Sequence, residues 1–289
     1  MGTHPSLPSK DLETQRTLLD LVQDNAALLS PDISKRYGAR LPFLFKVLSI
    51  RKALSIQAHP NKRLAEQLHA NDPKNYPDDN HKPEMTIAVT PFDGLCGFRP
   101  LVEVLHFLRT VPSFRNLVGD GTAASFEDAV RGHEDSDSND QISTNKRALQ
   151  AAFSALMKNE KSTVASAAKE LVSSAVTEGD DFAGHGGPSN NGRELADLVI
   201  RLNSQFEGDV GLFVLFFLNY VKLDVGEAMF LKADDIHAYL SGGMLISVPR
   251  DVHSANNGKT SSSVWHRRTT SSVPASRQNI KTSQRSRPC

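Results

Sequence analysis

Cross-links and long apolar runs are scarce in this chain, and each scarcity removes a class of protein. Two cysteines stand among 289 residues, Cys96 and Cys289, with no metal-type spacing between them. That excludes a disulfide framework and a cysteine-based zinc motif. The longest apolar stretch, Val210 to Val221, falls short of the roughly 20 residues that a bilayer span needs. The opening Met1-Gly-Thr-His-Pro-Ser is polar and carries no signal-peptide core, so a cytoplasmic location is expected and a membrane partner is not. Net charge is absent too, with 33 basic and 33 acidic residues, but the balance is uneven. Seven of the basic residues and only Asp251 of the acidic ones lie from position 251 onward. The body before that point is mildly acidic, which gives no reason to expect a nucleic-acid partner.

What is present suits a soluble globular protein, with 39% hydrophobic and 23% charged residues and enough length for one large or two modest domains. The chain is organised around Ser55 to Glu84. If Leu54 to His59 is extended, Ser55, Gln57 and His59 share one face while Leu54, Ile56 and Ala58 share the other. The apolar row is then free to pack inward while the polar row faces a cavity. Glu84 opens a second such run, with Met85, Ile87 and Val89 on one side and Glu84, Thr86 and Ala88 on the other. An amide oxygen, an imidazole and a carboxylate at strand ends supply three-quarters of a tetrahedral metal site, and His237 is the best fourth donor. The same donors suit iron or manganese.

Consecutive strands are expected over Leu41 to Ile50 and Ala53 to His59, the second ended by Pro60. Asn61 to His69 reads as a helix, Asn71 to Pro83 as the loop that delivers Glu84, and Pro91 to Pro100 as a turn-rich connection. From Leu101 the period becomes helical, with Leu101, Val104, Leu105 and Leu108 in one stripe. Helices are expected over Ile142 to Lys158, Glu160 to Val176 and Arg193 to Phe206. Val210 to Leu223 reads as a buried strand and Ala228 to Leu231 as another. The patterning reads as stopping after Gly242-Gly243, and the Ser/Arg-rich remainder is too polar to offset its ordering entropy.

Five segments carry a resemblance: Leu41-Pro-Phe-Leu-Phe-Lys-Val-Leu48, Leu54-Ser-Ile-Gln-Ala-His-Pro-Asn-Lys62, Tyr76-Pro-Asp-Asp-Asn-His-Lys-Pro-Glu84, Gly94-Leu-Cys-Gly-Phe-Arg-Pro100, and Gly226-Glu-Ala-Met-Phe-Leu231 with His237-Ala-Tyr-Leu240. Together they closely resemble type I mannose-6-phosphate isomerases. The resemblance implies a mixed α and β fold: a partial cupin (jelly-roll β-barrel) domain with an inserted α-helical domain and a disordered C-terminal tail. The divisions it suggests are 1–100 and 208–243 for the cupin parts, 101–207 for the helical insert and 244–289 for the divergent tail. It also implies one zinc ion per chain on Gln57, His59, Glu84 and His237, with Lys82 as the catalytic residue and Ser55 and Lys46 as substrate-binding residues.

The implied reaction interconverts mannose 6-phosphate and fructose 6-phosphate through an enediol-type intermediate, supplying mannose for GDP-mannose. The partner is a small sugar phosphate and the chain a monomer. Family members continue with an Asn-x-x-Arg-Ala-Gly-Leu-Thr-Pro-Lys motif and a second cupin domain that this sequence does not show, so it reads as truncated at both ends. Two other readings stand beside this one: an inactive homologue that binds metal without turnover, and an iron dioxygenase using two histidines and one carboxylate. Gln57 as a fourth donor argues against the dioxygenase.

Overall fold

The computed structural model describes residues 2–3, 8–76, 79, 81–134 and 136–249. Two short helices, α1 (Leu18–Asp24) and α2 (Pro31–Tyr37), lead into strands β1 (Phe43–Ile50) and β2 (Gln57–Ala58). Helix α3 (Lys62–Asn71) follows, then β3 (Glu84–Ala88) and β4 (Phe92–Phe98). The helical block comprises α4 (Leu101–Thr110), α5 (Pro112–Val118), α6 (Asp120–Val130), α7 (Asn139–Met157), α8 (Lys161–Glu178) and α9 (Phe182–His185). A small ladder of β5 (Gly186–Gly187) and β6 (Asn190–Asn191) and then α10 (Gly192–Gln205) complete it. The chain returns through α11 (Gly211–Val214), β7 (Leu218–Leu223), β8 (Ala228–Leu231) and the long β9 (Ile236–Pro249).

Strand β9 is the spine of the molecule. Its first half pairs with β2 and β4, its second half with β1 and β3, and every pairing is antiparallel. With β7 beyond β4 and β8 beyond β3, the sheet curls into a half-barrel. The change of partners falls at Gly242, whose φ of +108° is open to glycine and little else. A Cβ there would lie 2.5 Å from the Pro91 carbonyl oxygen and 2.7 Å from Phe92 Cα. The bend that lets one strand serve both halves of the barrel therefore depends on the missing side chain.

One core fills the helical block and reaches the sheet through Phe213, Phe216, Phe217, Leu218 and Leu240. A second lies inside the half-barrel, with Ile50, Ala88, Phe92, Leu231, Tyr239, Met244 and Ile246. Each fully buried Phe of the α11 region is worth about 1.5–3 kcal/mol of transfer free energy. The two bodies are also tied by polar groups. Asp93 on β4 accepts hydrogen bonds from Tyr220 Oη (2.8 Å), Ser241 Oγ and Arg201 of α10. Burial, reinforced by the Asp93 charge, pushes the Tyr220 phenol well above its ordinary pKa and keeps it a donor.

Several sequence expectations are corrected. Pro91 to Pro100 is not a turn-rich connection, because most of it is β4. Gly94 belongs to that strand, where a Cβ would come within 2.9 Å of the Ala238 carbonyl oxygen on β9. Only Gln57–Ala58 of the expected second strand is ladder, and it pairs with β9 rather than β1. Val210 to Leu223 is buried, but its first part is α11 and only Leu218–Leu223 is strand. In β3 the inward face is the Glu84, Thr86, Ala88 row, while Met85 and Val89 are each 41% exposed. Before β2 the rows are mixed: Leu54 is 41% exposed, but Ile56 packs against the core of the helical block while Ser55 and Gln57 are exposed. In β3 the half-barrel keeps the polar site inside and turns the other row outward.

The strand expected to stop at Gly243 runs on to Pro249, with Met244, Ile246 and Val248 buried at alternate positions. The last six residues of β9 thus belong to the half-barrel and not to a divergent tail. The rest of the segment read as a disordered tail, 250–289, lies outside the described residues.

Candidate metal centre

Three segments meet at one end of the half-barrel. The loop after α3 delivers Glu84 as the first residue of β3. Gln57 on β2 is in register with His237 on β9, so the two side chains share a face across the ladder. His59 follows β2 directly, and Pro60 then withholds the donor that would extend the ladder.

His59 Nε2 lies 3.4 Å from Glu84 Oε1, and His237 Nε2 lies 3.8 Å from Glu84 Oε2. Their donor atoms all fall within 4.8 Å of one another, and no other such His, Cys, Asp and Glu cluster occurs among the described residues. A tetrahedron built on bonds of about 2.0–2.1 Å has edges of about 3.3–3.4 Å, close to these separations. The two imidazoles are tilted by 53° rather than stacked, with centroids 5.4 Å apart. His237 Nδ1 donates to the Asp235 carbonyl oxygen at 2.9 Å, which leaves Nε2 with its lone pair toward Glu84. The donor set therefore fits a divalent cation.

Glu84 is held in its ionised form. Burial works against the charge, but hydrogen bonding from His59 and Tyr239 outweighs it and takes the carboxyl below its ordinary pKa. Tyr239 Oη donates to Glu84 Oε2 and lies 3.2 Å from Thr86 Oγ1. Burial first, then the hydrogen bond to Glu84 and the Glu84 charge, raise the Tyr239 phenol pKa and keep it protonated. Because the folded carboxyl is depressed, its stabilisation is complete above the unfolded value and is lost as pH falls through the lower folded value. In metal-free protein, Glu84→Gln is expected to remove that component from the acid limb of a denaturation series run from pH 7 to pH 3. An unchanged acid limb would show that Glu84 draws nothing from its partners.

A cleft of about 190 Å³ opens beside these donors. Lys46, Ser55, Gln57, Glu84, His237 and Tyr239 are among its lining residues. Gln57 Nε2 donates to Ser55 Oγ at 3.3 Å, which leaves the amide oxygen uncommitted in that contact. Lys46 is exposed on the wall opposite Ile246, so the desolvation cost expected of an interior lysine does not arise. Lys82 is half-buried two residues before Glu84 and is not among the lining residues.

Two contributors escape sequence reasoning. Tyr239 sits two residues beyond His237, so the parity rule that groups Ser55, Gln57 and His59 would also have placed it on the site's face. The Asp235 carbonyl is a backbone group and leaves no signal in the sequence. Cys96, opposite His237 in register, is pushed up to about 12 by burial and then by the Asp235 charge, so it stays a thiol.

The family models for the phosphomannose isomerase type I catalytic domain and helical insertion domain match residues 1–101 and 117–218. The chain is 63% identical over 249 residues to mannose-6-phosphate isomerase of Emericella nidulans, covering 85% of this chain and 54% of the relative. It is 45% identical over 249 residues to the Bos taurus mannose-6-phosphate isomerase, with 84% and 55% covered. The chain therefore spans about half the length of the curated relatives it matches. Among solved structures, a point mutant of phosphomannose isomerase from Salmonella typhimurium superposes with a TM-score of 0.65 at 30% identity, over 87% of this chain and 59% of that one. A zinc-bound holo mannose 6-phosphate isomerase gives 0.64 at 30%, over 86% and 58%.

Proposed function

This chain belongs to the type I phosphomannose isomerase family, and from that premise we propose that it interconverts mannose 6-phosphate and fructose 6-phosphate at a single zinc site. The observation that carries the reading is the meeting of His59, Glu84 and His237 at the head of a cleft whose walls hold Lys46 and Ser55. Gln57, in register with His237, is assigned as the fourth ligand. One carboxylate and three neutral donors leave a divalent ion with net positive charge, and zinc there would act as a Lewis acid toward a sugar oxygen.

The isomerisation needs one proton taken from C2 of the aldose and one delivered to C1, while the hydroxyl hydrogen passes from O2 to O1 through an enediol. Lys82 is assigned to proton transfer or hydroxyl polarisation from its place beside Glu84. Lys46 supplies a cation and Ser55 a hydroxyl on the cleft wall, and these are assigned to the substrate phosphate. Tyr239 holds the Glu84 carboxylate in place by its hydrogen bond. The reading makes the chain a cytoplasmic monomer that supplies mannose for GDP-mannose.

The test is a coupled assay for fructose 6-phosphate with metal analysis on the same sample. Turnover that stops on chelation and returns with zinc supports the proposal. Bound zinc without turnover replaces it with a metal-binding homologue lacking activity, and neither zinc nor turnover removes both readings.

A further inference from the structure

The two imidazoles of the metal centre come from segments far apart in the chain, and the ladder between those segments is only two residues long, Gln57↔His237 and Ala58↔Ile236. Beyond Ala58 the ladder stops at Pro60, yet His59 must be held to within a fraction of an ångström if it is to share an ion with His237. What holds it is Asp234. This residue adopts φ +70°, the left-handed region that Asp and Asn tolerate better than most side chains. Its backbone N–H donates to the His59 carbonyl oxygen at 2.7 Å. Its carboxylate accepts from the Asn61 backbone N–H at 2.9 Å and from Asn61 Nδ2 at 2.7 Å.

Both ends of this staple are anchored. Asn61 Oδ1 accepts from the Leu64 N–H at 3.0 Å and so caps α3. On the other side the Asp235 carbonyl holds His237 Nδ1, and the Asp235 carboxylate accepts from the Lys232 N–H at 2.9 Å, closing the turn that precedes β9. A continuous path runs from the N-cap of α3 through Asp234 to the ring of His237, with the His59 backbone attached at its middle.

We propose that Asp234 is a positioning residue for the metal centre: it fixes the His59 segment against the turn that aims His237. The proposal rests on the reading of His59, Glu84 and His237 as metal ligands. Asp234 and Asn61 are both exposed, so these bonds do little for global stability. Their effect is on the geometry of the two rings.

The test uses metal-free full-length chain titrated with cobalt(II), read by its visible d–d bands, and with zinc in competition with a chelator. Asp234→Ala is expected to weaken zinc binding about 10–100-fold, the usual cost of losing a group that orients a ligand, and to shift the cobalt bands. Asp234→Gly accepts the positive φ without strain and lacks only the carboxylate, so it is expected to lose affinity likewise. Asp234→Asn keeps one acceptor oxygen and the left-handed preference and is expected to recover most of it. A denaturation midpoint close to the parent's is expected for all three, which separates misplacement of the rings from unfolding. Wild-type affinity and cobalt spectrum in both the Ala and Gly variants would overturn the assignment. Absence of tight metal binding in the parent chain would instead overturn the metal-centre reading beneath it.

Discussion

His237→Ala is expected to take the chain from stoichiometric zinc to almost none, and to cost turnover more than the ~10–100-fold lost when a ligand's orienting partner is removed. His237 is 4% exposed at the start of the central strand, with one ring nitrogen engaged by Asp235 and the other aimed at Glu84. Removing the ring leaves the backbone ladder to Gln57 and Cys96 intact, since that register uses no side chain. The fold should therefore survive while the site does not. A ligand that binds only folded protein adds about 2.7 kcal/mol when present at a hundred times its dissociation constant. A chelator should accordingly lower the melting temperature of the parent chain and leave the variant unmoved. Full zinc content and turnover in His237→Ala would remove this residue from the site.

A strand's period of two put Gln57 and His59 on one face, but bringing them together with Glu84 and His237 rested on the resemblance of the surrounding segments to type I mannose-6-phosphate isomerases. The same rule failed where a residue's reason lay on another strand. Gly94 and Gly97 looked like turn formers, but Gly94 is in a strand because the Ala238 carbonyl approaches it too closely for a Cβ. The run from Val210 to Leu223 is apolar at almost every position, so periodicity could not separate the short helix from the strand beside it.

Met244, Ile246 and Val248 did alternate with less buried neighbours, a legible signal masked by the polar sequence that follows. The inward row of β3 was misjudged for a different reason. Thr86 is completely buried because it stands behind Glu84, next to the Tyr239 hydroxyl, whereas hydropathy alone would have put Met85 inside. Helices α4, α7, α8 and α10 were the easiest elements, since their apolar stripes repeat over several turns, whereas α6 carried no such expectation. Asp234 offered nothing to a sequence reading, because its role depends on a left-handed backbone and on a partner 173 positions away.

Arg99→Ala is expected to destabilise the fold by about 3–5 kcal/mol, a larger loss than removing both members of its ion pair together. Arg99 has no exposed side-chain surface and Glu103 has 3%, and their Nη1–Oε2 bond is 2.8 Å. The guanidinium also donates to the Leu215 carbonyl and to Asn190 Oδ1, each at 3.3 Å, and sits 5.2 Å from the Phe107 ring centroid. It therefore joins the end of β4 to α4, to the β5–β6 ladder and to the segment after α11. Burial lowers its pKa and Glu103 opposes that shift, but an arginine starts so high that it keeps its charge. Deleting it strands Glu103 in the interior with Ser189 Oγ, at 2.6 Å, as its remaining side-chain donor in this network.

The double variant Arg99→Met, Glu103→Leu leaves no buried charge and fills the volume, so it should recover much of what the single variant loses. Arg99→Lys keeps the charge but not the planar fork, and should fall between them. For a chain of this size the single replacement corresponds to a melting-point drop on the order of 10 °C. Denaturant unfolding of the three variants measures the ordering directly. A single variant no less stable than the double one would mean that the pair is solvated in solution, and that the sheet and the helical block are held together by their shared apolar core and the Asp93 hydrogen bonds without it.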